Sequence, residues 1–111
     1  MFEPGDVVTI DFPGVTGIKR RPAVILSSSV YHQIRPDIIV GLITSQTRGA
    51  VSITDYLIED WAAAGLRVSS AFRSFLTTLP PAAKPVKIGD LSLKDWAAVC
   101  LRVKTALVDL T

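Results

Sequence analysis

The chain has 111 residues, 49% of them hydrophobic and 20% charged, with a formal net charge of +2 and a pI near 8.9. This length and composition fit a single domain, residues 1–111, with a sizeable core; they exclude a disordered chain, and the mild basicity permits an anionic partner without requiring one. One cysteine, Cys100, excludes an internal disulfide, the start MFEPGDVV does not read as a signal peptide, and no apolar run approaches the roughly 20 residues of a membrane span, so a cytoplasmic protein is expected.

Pro4-Gly5-Asp6 is a turn signal, and Val8, Ile10 and Phe12 then alternate with Val7, Thr9 and Asp11 as in a half-buried strand. Residues 13–17 form a loop whose glycines allow unusual backbone angles. A second strand is expected from Pro22 to Ser27, with the proline at its edge. Residues 28–36 read as irregular, and 37-DIIVGLITS-45 as a third strand covered on both faces. Residues 51–53 suggest a short strand. The stretch 56-YLIEDWAAAGL-66 reads as a short helix or a packed loop.

Residues 67–79 suggest two short strands split around Ser69 to Ala71, and 86–88 one more strand. The last element is a helix over about 93–108, with Ser92 as its N-cap and Asp95 completing a capping pattern. Its expected apolar stripe is Trp96, Cys100, Val103 and Leu107. Several short antiparallel-type strands followed by one helix predict a mainly β fold, a small, strongly curved sheet or barrel with a helix packed on it.

The chemistry is narrowed by exclusion. One His and one Cys cannot supply a metal cluster, and no phosphate-binding glycine motif occurs, so no cofactor is expected. Cys100 reads as a small buried hydrophobe, Trp96 as core, and His32 as a loop histidine in solvent, with an acid–base role as its other reading. What remains is cationic and hydroxylic. Lys19, Arg20 and Arg21 open the second strand, while Thr44, Ser45 and Gln46 close the third. Antiparallel pairing would set Arg21 and Thr44 on one rim, a guanidinium beside neutral donors suited to phosphate. The competing reading of the triplet is a solvated loop.

At this point the sequence resembles the MazF/PemK (Kid) toxin family. The resemblance is carried in order by 5-GDVVTIDF-12, 21-RPAVILSS-28, 37-DIIVGLITSQ-46, 65-GLRVSSAF-72 and 88-IGDLSLKDWAAV-99. It implies an SH3-like curved antiparallel barrel with a C-terminal helix, usually dimeric. It also implies metal-free, sequence-specific endoribonuclease activity on single-stranded RNA, leaving 2′,3′-cyclic phosphate and 5′-OH ends. The family's catalytic pair falls on Arg21 and Thr44. Around them, Lys19, Arg20, Ser27, Ser28, Ser45 and Gln46 are candidates for RNA contacts, and the loop bearing Gly14 and Gly17 for closing over the strand. Arg73 would add charge, with a solvated strand residue as its other reading, and Tyr31 and Phe12 are candidates for stacking on bases, with a core role as the other reading of Phe12. The family also implies a cognate antitoxin with an acidic C-terminal tail. One departure stands out: 76-LTTLPPAAKP-85 has Thr77 where the family often carries an Arg.

Two other readings stay open. A gyrase-poisoning branch of the same fold ends in a Trp-Gly signature that 106-ALVDLT-111 lacks. A non-catalytic, antitoxin-binding autoregulator would keep the pair without using it.

Overall fold

The computed structural model describes residues 2–14, 17–48 and 52–108. Six strands form one sheet: β1 (Asp6–Gly14), β2 (Gly17–Ile25), β3 (Ile38–Thr44), β4 (Tyr56–Leu57), β5 (Ala71–Leu79) and β6 (Val86–Asp90). Their spatial order is β4-β5-β3-β2-β1-β6. Every pairing is antiparallel. Two helices are added, α1 (Ser29–Ile34) and α2 (Leu93–Leu107), and a short 3-10 turn at Pro81–Ala83 leads into β6. The sheet curls into a half-barrel with α2 packed on one of its faces, a mainly β architecture of the expected kind.

Alternation along β1 and β2 serves both faces of the sheet. Val7 and Val24 point to one side and join Ile43, Ile58, Leu66, Phe72, Leu91 and Val99, the cluster under α2. Val8, Ile10, Ala23 and Ile25 point to the other and join Ile38, Val40, Leu79 and Ala83 in a second cluster. Both faces are therefore dry, which is why β3 carries a nearly continuous apolar run. Each fully buried aliphatic side chain here contributes about 1.5–3 kcal/mol relative to exposure. Gly41, at the centre of β3, makes room for a ring: a Cβ there would lie 2.4 Å from Phe72 Cε1.

Several elements differ from the sequence expectation. β2 begins at Gly17, so Lys19, Arg20 and Arg21 are strand residues paired with Phe12, Asp11 and Ile10, not a loop before a strand. Residues 29–34 are helical; the Ser28 hydroxyl accepts the Tyr31 N–H and caps a helix too short to show a periodicity. Of the expected strand over 51–53, Val51 lies outside the described residues, and Ser52 and Ile53 precede β4 without pairing.

Between β4 and β5 the packed-loop alternative holds. Residues 67–70 are not a strand, and β5 runs unbroken from Ala71, opposite a register shift between Gly41 and Ile43. The buried face of α2 is also displaced. Asp95 and Val99 are buried, Trp96 and Val103 pack at the edge, and Leu107 is exposed, because the helix crosses the sheet at its N-terminal half.

Candidate functional site

The β2–β3 register Ala23↔Leu42, Val24↔Gly41, Ile25↔Val40 ends two positions short of Arg21 and Thr44, and both line the rim where the strands part. A groove of about 660 Å³ opens there, a size suited to a ligand. Thr9, Arg20, Arg21, Pro22, Ile43, Thr44, Ser45 and Gln46, from β1, β2 and the end of β3, line one part of it, the near wall; Gly65, Leu66, Arg67, Val68, Ser70 and Ile88, from the stretch before β5 and from β6, line the rest, the far wall. The groove thus brings together Arg20, Arg21, Thr44, Ser45 and Gln46.

Their states differ. Arg21 is exposed, and no hydrogen bond or ion pair joins its guanidinium to another described residue. The Thr44 hydroxyl accepts the Gln46 N–H at 3.1 Å, which leaves its own proton to be donated outward. Arg20 is already engaged. Its Nη1 donates to Asp11 Oδ1 at 2.9 Å and to the Lys84 carbonyl at 2.9 Å, and its Nη2 to the Thr9 carbonyl at 2.9 Å and Thr9 Oγ1 at 2.8 Å. It clamps the β1–β2 hairpin to the turn before β6, where Lys84 sits in the left-handed region at φ 53°.

Other sequence candidates lie elsewhere. Ser27 is buried, and its hydroxyl accepts the Ile39 N–H at 3.0 Å and meets His32 Nε2 at 2.6 Å. It belongs to the packing of β2 on α1, not to the groove. Ser28 is spent as the cap of α1. Lys19 is exposed on β2 beyond the groove, and Gly14 pairs with Gly17 at the hairpin end. Arg73 is exposed on β5 and does not line the groove.

His32 is not a solvated loop residue. It stands on α1 between Ser27 and the Phe2 carbonyl, 2.9 Å from Nδ1, and ties the N-terminal segment down. Tyr31 donates its hydroxyl to Asp37 at 2.6 Å, a bond that raises the phenol and lowers the carboxyl. Phe12 packs edge-on against Phe75 with ring centroids 6.1 Å apart. Burial pushes the Cys100 thiol up, away from a reactive thiolate.

Sequence reasoning missed the far wall. Arg67 lies in 65-GLRVSSAF-72, a stretch that carries the resemblance but yielded no candidate site residue, and only the fold brings it into one groove with Arg21. The loop that leads into that stretch is held by Asp95. Its fully buried carboxylate accepts the Tyr56 hydroxyl at 2.6 Å and the backbone N–H groups of Asp60 at 2.9 Å and Glu59 at 3.2 Å. Burial pushes the carboxyl up, but these donors outweigh it and hold it below its ordinary value. Burial, with Asp95 beside it, pushes the Tyr56 hydroxyl well up. Arg102 lies over the Tyr56 ring and donates to the Asp55 carbonyl at 2.9 Å. Among the described residues no three His, Cys, Asp or Glu side chains gather as a metal site requires, and no helix is long and apolar enough to cross a membrane.

Comparison with known proteins follows the same geometry. A search of curated proteins gives no match. Among solved structures, MazE–MazF (Form-II) from Deinococcus radiodurans superposes with a TM-score of 0.74 at 18% identity, over 96% of this chain and 94% of that one. An endoribonuclease in complex with its cognate antitoxin, from Mycobacterial species, gives 0.77 at 16% identity, over 96% and 95%. The Mycobacterium tuberculosis toxin MazF-mt6 gives 0.67 at 24% identity, over 88% and 94%. These likenesses establish the fold. The family model for the PemK-like, MazF-like toxin of type II toxin–antitoxin systems matches residues 3–107, and with nearly the whole chain inside that match this protein belongs to that family.

Proposed function

We propose that this protein is a metal-independent, sequence-specific endoribonuclease toxin that cuts single-stranded RNA in the cytoplasm and is neutralised by a cognate antitoxin. The observation that carries the reading is the pairing of Arg21, a guanidinium without a partner among the described residues, with Thr44, whose hydroxyl keeps its proton, on the rim of one groove. Family membership and the antitoxin-bound neighbours support it.

In this mechanism the ribose 2′-oxygen attacks the adjacent phosphorus as its proton leaves. The 2′-O–P bond forms, the P–O5′ bond breaks, and the 5′-oxygen takes up a proton. The products are a 2′,3′-cyclic phosphate and a 5′-OH end. Negative charge builds on the non-bridging oxygens, and Arg21 and Thr44 donate to them. A guanidinium carries N–H donors and no acceptor, which makes it a poor base, so charge stabilisation is the role of Arg21. Gln46 and Ser45 stand beside the pair as neutral donors for base edges. The requirement for a 2′-OH leaves DNA intact. The protein acts as a homodimer, and an acidic antitoxin tail competes with RNA for the cationic groove.

Purified protein incubated with single-stranded RNA and matched DNA in EDTA tests this. RNA alone is cut, to cyclic-phosphate ends, and Arg21→Ala and Thr44→Ala each lower the rate about 10²–10³-fold. Intact RNA of many sequences after exposure to folded, dimeric wild type would overturn the reading and favour a non-catalytic binder.

A further inference from the structure

The far wall of the groove has a chemistry of its own. Arg67 is exposed, with no hydrogen bond or ion pair to another described residue. Beside it, Val68 and Ile88 are 52% and 37% exposed, two aliphatic side chains facing open space inside a groove that also holds cations. Elsewhere an exposed arginine costs entropy when it is fixed by a ligand. Here the backbone beneath it is already fixed.

Three contacts fix that backbone. Gly65, at φ +86°, lies so close to β6 that a Cβ would stand 2.2 Å from the Ile88 carbonyl oxygen. A Cβ on Gly89 would stand 2.2 Å from the Ala64 carbonyl oxygen. Asp95 grips the Glu59 and Asp60 N–H groups at the start of the same segment.

We propose that Arg67, Val68 and Ile88 form a nucleotide subsite next to the scissile phosphate of a bound single-stranded RNA. Arg67 takes a neighbouring phosphate through its planar fork, and the Val68–Ile88 shelf carries that nucleotide's base. The inference rests on the RNA-cleaving reading above and divides its labour. The near wall, with Arg21 and Thr44, serves the reacting phosphorus. The far wall grips ground state and transition state alike, so its loss weakens binding and spares the chemical step.

The test uses an RNA that wild type cleaves, made uncleavable by one 2′-deoxy nucleotide at the cut position, with affinity measured by fluorescence anisotropy across salt. Arg67→Ala weakens binding about tenfold and lowers the slope of log Kd against log salt by about 0.7, as expected for one phosphate contact to a single strand. On the cleavable RNA its saturating single-turnover rate stays within about threefold of wild type. Arg67→Lys restores the salt slope and only part of the affinity, because it keeps the charge and loses the fork.

Shortening the RNA by one nucleotide, from the 5′ and the 3′ side in turn, locates the subsite. One of the two truncations costs wild type about tenfold and Arg67→Ala nothing. Unchanged affinity and salt slope in Arg67→Ala, or a loss confined to the saturating rate, would overturn the subsite while leaving the cleavage reading intact. Should wild type cleave nothing, that reading falls. Arg67→Ala is then judged on binding to a mixed-sequence single-stranded RNA, where an unchanged slope overturns the subsite as well.

Discussion

Three consecutive cations on β2 meet three different fates. Lys19 stays in solvent, Arg20 is spent on Asp11, Thr9 and the Lys84 carbonyl, and Arg21 is left unpaired among the described residues at the groove. Strand alternation alone does not separate them, since Lys19 and Arg21 share a parity; the neighbours of each position do. Arg20→Ala should therefore lower stability by about 1–2 kcal/mol, the loss of several charge-assisted bonds discounted for solvent access. Arg21→Ala should stay within about 0.5 kcal/mol of wild type and still lose cleavage. Urea denaturation of both variants checks this, and equal shifts would contradict the division. At this scale the sequence marked the positions correctly as a charged cluster. It could not assign partners, because Thr9 lies 11 residues and Lys84 64 residues from Arg20. Ser27 shows the same limit: a hydroxyl beside a cationic motif turned inward once Ile39 and His32 closed on it.

The elements differ in how far local signals determine them. The opening strand, the third strand and α2 were legible from period, apolar run and cap. The stretch from Tyr56 to Ser70 was not, because its order comes from tertiary contacts: Asp95 holds Tyr56, Glu59 and Asp60, and Ala64 and Gly65 press against Ile88 and Gly89. Asp95, a capping residue by sequence, also organises that loop from 35 to 39 residues away. Its carboxyl is held below its ordinary value in the folded protein, so the unfolded chain takes up the proton first as pH falls. The stabilisation it gives is present above the unfolded value near 4 and is lost as pH drops through the folded one. Asp95→Asn should lower stability by about 2 kcal/mol at pH 7. It should also unfold with a shallower acid dependence below about pH 4. Melting temperatures by circular dichroism from pH 2 to 7 measure both, and parallel curves for the two proteins would refute the assignment.

For the whole molecule, the half-barrel joins two apolar clusters through shared strands. Neighbouring residues of β1 and β2 serve opposite faces, so neither cluster survives loss of the other. Unfolding should be a single transition with an enthalpy at the midpoint of about 75 kcal/mol for a chain of this size. Trp61 and Trp96 both report the helix side. Their fluorescence should move together with far-ultraviolet circular dichroism, and separated midpoints would show that the clusters are independent. The contact of Ala64 and Gly65 with Ile88 and Gly89 has a consequence for redesign. Main chain touches main chain there, so the far wall is itself a rigid frame that trimming side chains cannot loosen. On the proposed RNA-cleaving reading, a change of target would have to come from exchanging the side chains that hang on that frame, Arg67, Val68 and Ile88, one at a time.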